Sequence, residues 1–413
     1  MKNIFLVLLI LLLSCVNVFS QWELQYTGYI NTLHGVSFYG NSNIGIAVGE
    51  QGRILKTDDG GYFWWSVNLT IGTFYNPVQF LNQNTLITGG YLGYMAKSTD
   101  GGNTWTQLNS PTTMQINGIC FINENTGFVT GYAGLLMKTT NSGLNWAISW
   151  LPYTMYDIYM FNETTGIVCG AGGNILKTTN GGLNWTPRYS NPPVSYDLNG
   201  MAFLNSTTGI IVGNSGTILK TTNGGNTWKL ADTTHITYNT LFRVSYPSAS
   251  RITCVGGAGT IITSIDGGNT WTQQSSGTSA ILYSVYFRDA NYGCAVGENG
   301  VILTTTNGGS VFINKIGSTI PEKFELHQNY PNPFNSSTKI RYAVAADLKS
   351  ENLNIKLVIY DLLGREVEVL VDEKFSAGIY EVSWNPLQYP SGIYFYKLIS
   401  GGFSDTKKLL YIK

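Results

Sequence analysis

Lys220–Trp228 reads KTTNGGNTW, and its pattern recurs along the chain: Ser or Thr, any residue, Asp or Asn, any residue, Gly, two free positions and an aromatic. The acidic or amide position falls at Asp59, Asp100, Asn141, Asn180, Asn223, Asp266 and Asn307, in steps of 41, 41, 39, 43, 43 and 41 residues. A period of ~40–45 residues carrying several short strands is the signature of a β-propeller. The repeat therefore predicts an all-β fold whose first domain has seven blades.

Working outward from each copy, the rest of a blade can be read. A first strand ends in an aromatic (Phe38, Phe80, Phe121, Phe161, Phe203, Tyr246, Phe287), a polar turn follows, and a second strand is small and apolar, as in GIAVG and GIIVG. Next comes Gly-x-x-Gly, from Gly49 and Gly52 in the first blade to Gly297 and Gly300 in the last. This reads as a tight hairpin whose glycines supply positive φ. The third strand (RILKT, TILKT) runs into the opening motif, and the fourth carries the Trp. Within the motif, a hydroxyl two residues before an Asp or Asn suits a turn in which short side chains bond nearby amides.

Ring closure is also legible. Trp22-Glu23-Leu24-Gln25 looks like a fourth strand with no motif before it, whereas the last motif ends in Phe312 instead of Trp. The segment around Trp22 is expected to pair into the blade formed by residues 283–310, removing an open strand edge.

Thr57-x-Asp59-x-Gly61-x-x-Trp64 and Thr221-x-Asn223-x-Gly225-x-x-Trp228 resemble the Asp-box, or bacterial neuraminidase repeat. With the Gly-x-x-Gly spacing, the repeats are similar to the family typified by the photosystem II assembly and stability factor, over residues 22–315. The resemblance implies a scaffold that binds protein partners. It does not make Asp59, Asp100 or Asp266 catalytic, since the other copies carry Asn, which cannot act as a carboxylate.

Beyond Ile316 the period stops and charged residues become frequent. The expected organisation is a signal peptide at 1–20, the propeller at 21–315, a linker at 316–322 and a small Ig-like β-sandwich of about seven strands at 323–413. Tyr330-Pro331-Asn332-Pro333-Phe334, Gly364, Gly392 and the terminal Lys407-Lys408, each in its surrounding motif, resemble the type A C-terminal sorting domain of type nine secretion. That resemblance implies export across the outer membrane to the cell surface or medium, with the secretion machinery as partner and cleavage in the linker.

Lys2, the apolar run Ile4 to Leu13 and Val18-Phe19-Ser20 form the export signal. A lipoprotein reading through Cys15 stays open. Cys120, Cys169, Cys254 and Cys294 lie inside apolar strands of different repeats and read as buried free thiols. Net charge is zero, which gives no attraction for nucleic acid.

No metal or cofactor is implied: the histidines His34, His235 and His327 lack ligand spacing, and no phosphate loop or nucleophile elbow is present. A sialidase would need three convergent arginines, yet Arg53, Arg188, Arg243, Arg251 and Arg288 accompany no Arg-Ile-Pro motif, and seven blades are one too many for that class. Glu50 and Glu298 hold the same slot in adjacent blades. They are the candidate acid and base for the alternative function, a glycoside hydrolase.

The preferred reading is a binding scaffold for a protein or glycan. Its face would be that of the Gly-x-x-Gly turns and the aromatic-rich connections between blades. Tyr91 and Tyr132 lie in those turns, His34, Asn76, Asn117, Asp157 and Asn199 are placed on the channel rim, and Tyr156 and Arg243 complete the candidate set.

Overall fold

The computed structural model describes residues 22–413 except 68–73, 192, 232–235, 310–312, 316–320, 336, 346–352, 385 and 387–388. The signal-peptide reading, Cys15, Phe312, His235 and most of the linker lie outside the described residues. Among those described there are strands and seven short 3-10 turns but no α-helix. The chain divides into two compact units, residues 21–310 and a C-terminal unit beginning at Val311.

The first unit is a ring of seven antiparallel sheets, blades 1 to 7 in chain order. Blade 1 is typical: Leu33–Phe38, Gly45–Gly49, Ile54–Thr57 and Trp65–Val67 pair in sequence order. In blade 7 the outer strand is Glu23–Gln25, which pairs with Ile302–Thr305 in the register Glu23 to Thr304 and Gln25 to Ile302. Blade 5 gains a two-residue parallel edge strand, Ser190–Asn191, against Trp228–Leu230.

The repeated motif folds as one hydrogen-bonded unit. The Ser or Thr hydroxyl accepts the N–H of the glycine two residues after the Asp or Asn at 2.7–3.0 Å in all seven copies. Oδ1 of the Asp or Asn accepts the N–H four residues on, at 2.8–3.1 Å in the first six. An amide oxygen does this as well as a carboxylate, so Asn and Asp interchange. The Lys before the motif then ties one blade to the next: Lys56 donates to Asn103, Lys97 to the Ser142 carbonyl, Lys138 to that of Gly181 and Lys177 to that of Gly224. Across the closing seam the tie comes from Arg288, which donates to the Ser42 carbonyl at 3.2 Å.

The Gly-x-x-Gly turn requires glycine for a partly different reason from the one expected. Only its second Gly has positive φ, 66° to 82°. The first is extended, with φ between −162° and −175°. A Cβ there would stand 1.8–2.2 Å from the carbonyl oxygen that ends the incoming connection, Thr32 for Gly49 and Phe74 for Gly90. That oxygen accepts the next N–H, from Glu50 or Tyr91, at 2.9 Å. Close backbone approach therefore excludes a side chain.

The second unit has two four-stranded sheets: Ile313–Lys315, Gly378–Trp384, Thr338–Val344 and Glu325–Leu326 in one, and Glu366–Phe375, Leu353–Tyr360, Gly392–Ser400 and Phe403–Tyr411 in the other. The strand Ile313–Lys315, which the sequence reading gave to the propeller, pairs with Tyr380–Val382. This sandwich thus begins before the expected linker. Its core joins Phe334, Tyr342, Trp384, Tyr396 and Tyr411 across the sheets.

Candidate functional site

The two ends of a blade carry different chemistry. In all seven blades the motif turn donates a backbone N–H to a carbonyl of the turn between the first and second strands, as from Gly60 to Asn43 and Gly224 to Thr207. Both turns therefore share one face. The Gly-x-x-Gly turns bond to the connections between blades and lie on the other.

The first strands of successive blades neighbour one another around the ring, and each carries a β-bulge near its start. The bulge residue is His34, Asn117, Tyr156, Asn199, Phe242 or Tyr283 in blades 1 and 3 to 7, and Asn76 with Pro77 in blade 2. Blade 4 departs from the expected alignment. Met160, not Phe161, pairs with Gly166 at the strand end, so Tyr156 holds the rim slot assigned to Asp157.

Asp157 instead shares its slot with Arg243 of blade 6. Arg243 Nη1 lies 3.8 Å from Asp157 Oδ2 and donates to the Asn199 carbonyl at 2.6 Å, while Nη2 donates to the Asn117 carbonyl at 3.4 Å. Asp157 Oδ2 also accepts the Met201 N–H at 2.9 Å. Burial pushes the Asp157 carboxyl up, and the Arg243 guanidinium and the N–H groups of Met201 and Ile158 act against it. These charges hold blades 3 to 6 together and are largely spent on each other and the backbone.

Asn117 and Asn199 are likewise structural in part: each donates at 2.9 Å to a carbonyl of the next blade, Met155 and Leu241. Tyr156 gives its hydroxyl to Asp197 Oδ2 at 3.3 Å, and Asp197 Oδ1 accepts the Gly172 N–H at 2.9 Å. Asp197 is a rim carboxylate that sequence reasoning did not single out.

The remaining rim residues form a different corner. The His34 and Tyr283 rings stand 4.7 Å apart, and those of Tyr283 and Phe242 5.1 Å apart. Glu50 Oε1 lies 3.8 Å from His34 Nε2. Burial lowers the His34 pKa, against the pull of Glu50. The Tyr283 phenol is raised by burial and then by Glu298 and Glu50. The two glutamates paired by sequence slot thus both bear on one ring.

Outside the channel the same face carries exposed aromatics. Tyr132 and Trp150 are each 59% exposed, and Tyr91, Tyr153, Tyr189, Tyr196 and Tyr238 are exposed too. Among the described residues, no three His, Cys, Asp or Glu side chains gather as a metal site. Cys120, Cys169, Cys254 and Cys294 are free thiols, and the Cys120 sulfur accepts the Met160 N–H at 3.3 Å.

In the sandwich, the residues of the sorting motif come together. Phe334 packs on Tyr411 with ring centroids 5.3 Å apart and exchanges backbone bonds with Leu410 and Ile412. Asn332 accepts the Leu410 N–H at 2.9 Å and donates to the Lys408 carbonyl at 3.3 Å. Gly392 pairs with Tyr411, so Phe334 and Gly392 both meet the end of the strand that carries Lys407 and Lys408. Tyr330 is exposed, and Gly364 stands apart in a turn capped by Asp361.

Fold and faces define a seven-bladed Asp-box propeller joined to a sorting β-sandwich. The chain belongs to the family described as photosynthesis system II assembly factor YCF48, which it matches over residues 15–112, 103–186, 150–235 and 230–306. Residues 328–413 match the secretion system C-terminal sorting domain, which marks an exported protein delivered by type nine secretion to the surface or medium. Among curated proteins, no sequence matches the chain significantly.

Similar solved structures include YCF48 bound to a D1 peptide (22% identity, TM-score 0.59, covering 70% of this chain and 98% of that one). YCF48 from Cyanidioschyzon merolae is close behind, at 21% identity and TM-score 0.59, with 69% and 98% covered. The RRP9 WD40 repeats share the fold at 7% identity and TM-score 0.57, with 69% and 97% covered.

Proposed function

We propose that the propeller is a non-enzymatic binding scaffold that holds a protein or glycan on its Gly-x-x-Gly face once the sorting domain has delivered it outside the cell. The observation that carries this reading is the asymmetry of the two faces. The motif turns close on their own hydrogen bonds and expose few aromatics, Tyr62 and Phe63 among them, whereas the opposite face presents a larger set of exposed tyrosines on turns and connections, with Trp150 at a strand end, all held by a rigid ring. Aromatic rings on a fixed frame gain contact area with little loss of side-chain freedom. A protein of the same fold has been solved with a peptide bound, which favours a protein ligand.

The second reading, a glycoside hydrolase, draws on the proximity of Glu50 and Glu298 to Tyr283. Peptide and glycan arrays probed with the full chain, alongside a hydrolase screen, separate the two. Capture without turnover is expected. Turnover that disappears in Glu50→Gln or Glu298→Gln would establish the enzyme instead.

A further inference from the structure

The corner of the channel mouth shared by blades 6, 7 and 1 has a chemistry that the rest of the rim lacks. Phe242, Tyr283 and His34 occupy one bulge slot in three consecutive blades and line up as a row of rings. Glu50 and Glu298, the first residues inside the Gly-x-x-Gly turns of blades 1 and 7, flank that row. All five side chains are half-buried.

No fixed cation balances this corner. Among the described residues neither glutamate pairs with a Lys or Arg. Glu298 uses Oε2 to accept the Ile281 N–H at 3.0 Å, and the charged contact of Glu50 is with the imidazole of His34. The arginines nearest in sequence are turned away. Arg53 bonds to Asn31 and Ser66 and lies over Tyr29, while Arg243, next to Phe242, is drawn to Asp157 and the Asn199 carbonyl. The rim is therefore divided: Asp157 and Arg243 neutralise each other, the Asp197 carboxylate is taken up by the Tyr156 hydroxyl and the Gly172 N–H, and the Glu50–Glu298 side pairs two carboxylates with a row of rings.

Half-buried carboxylates attract a cation more strongly than exposed ones, because less water screens them. The faces of aromatic rings add a quadrupolar attraction for the same charge. An apolar stem carrying a cationic head would lie along the rings with its head between the carboxylates, the way lysine and arginine bury their methylenes. A neutral sugar would use the rings and leave both charges unanswered.

We infer that this corner is the specificity pocket for a lysine or arginine side chain of a protein partner. The inference rests on the binding reading above and adds the chemistry that is recognised.

Titration calorimetry of the full chain with hexalysine, and with hexalysine acetylated on every side chain, tests it. Hexalysine should bind, and acetylation should weaken it at least tenfold. The Glu50→Gln, Glu298→Gln double variant, which keeps shape and hydrogen-bonding capacity, should lose at least tenfold, as should Tyr283→Leu, which leaves the charge unchanged. Glu124→Gln with Glu163→Gln, in the turns of the opposite face, should change nothing and so excludes general attraction to acidic surface. The pocket is overturned if hexalysine fails to bind, if the corner variants bind it as the parent does, or if the control variant weakens it equally. Should the corner fail while an array ligand is still lost on Tyr132→Ser, this inference falls and the binding reading stands. If the arrays also yield no ligand, both fall.

Discussion

The Trp22 indole N–H donates to the side-chain oxygen of Gln274 at 2.8 Å, joining residues 252 positions apart. Trp22 is buried, its ring meets Phe287 edge-on at 5.7 Å, and the following strand completes blade 7. One short N-terminal strand thereby gives blade 7 its fourth strand and covers the edge that Ile302–Thr305 would otherwise expose.

Truncating this clasp should be costly. Trp22→Ala removes a fully buried indole and leaves Gln274 without its donor, an expected loss of about 3–5 kcal/mol. Thermal denaturation should show a clear drop, and deletion of residues 21–28 a larger one. An unchanged melting temperature would contradict the closure.

The motif turns should tolerate amide but not alkyl. Asp59→Asn keeps the oxygen that accepts the Phe63 N–H and should cost under about 0.5 kcal/mol, whereas Asp59→Ala strands that donor at about 1–3 kcal/mol. Burial tends to raise the carboxyls of Asp59, Asp100 and Asp266, but the hydrogen bonds they accept outweigh it and hold all three below the usual range. Their contribution is present above the ordinary aspartate range and is lost as pH falls through the lowered values. Replacing all three with Asn should flatten the acid limb of a stability profile. An unaltered acid limb would show that these groups do not set it.

The first glycine of each Gly-x-x-Gly should be intolerant of alanine despite its extended φ. Gly90→Ala places a methyl 1.8 Å from the Phe74 carbonyl oxygen, where both partners are backbone. A loss of at least about 2 kcal/mol is expected in chemical denaturation, as for other overpacked sites. A neutral substitution would mean that the connection can move aside.

In the sorting sandwich the pH dependence runs the other way. Burial pushes the Glu368 carboxyl up to about 7, against the Trp384 N–H that it accepts at 2.9 Å. With the folded value raised above the ordinary 4.5, the native state keeps a proton that the unfolded chain releases. The stabilisation is thus complete below about pH 4.5 and lost as pH rises through about 7. Stability of the sandwich, followed by the near-ultraviolet signal of its aromatic core, should fall between pH 5 and 8 in the parent and stay level in Glu368→Gln. A parent profile flat over that range would refute the assignment.

Much of this was legible because the repeat supplies its own controls. The spacing of Asp59, Asp100 and their counterparts counts the blades, since each motif closes one local turn. The Trp22 strand could be found because Phe312 marked a last copy without its Trp. The slip in blade 4 arose because Phe161 is as aromatic as Phe121, yet Met160 faces the core and fixes the register. The Asp157–Arg243 contact joins side chains 86 residues apart through strand geometry alone, and no local pattern announces it. The same holds for Glu50 and Glu298: sequence gave them equal slots, but only ring closure brings both to Tyr283. Ile313–Lys315 has no motif at all, and its place beside Tyr380–Val382 follows from pairing in the second unit.

The most direct test of the central claim is a face-mapping experiment on whichever ligand the arrays return. Binding is measured for Tyr132→Ser with Trp150→Ser on the Gly-x-x-Gly face, and for Tyr62→Ser with Phe63→Ser on the motif face, both pairs being exposed. The account predicts that the first pair abolishes binding and the second leaves it intact. Binding that survives the first pair and vanishes with the second would contradict it.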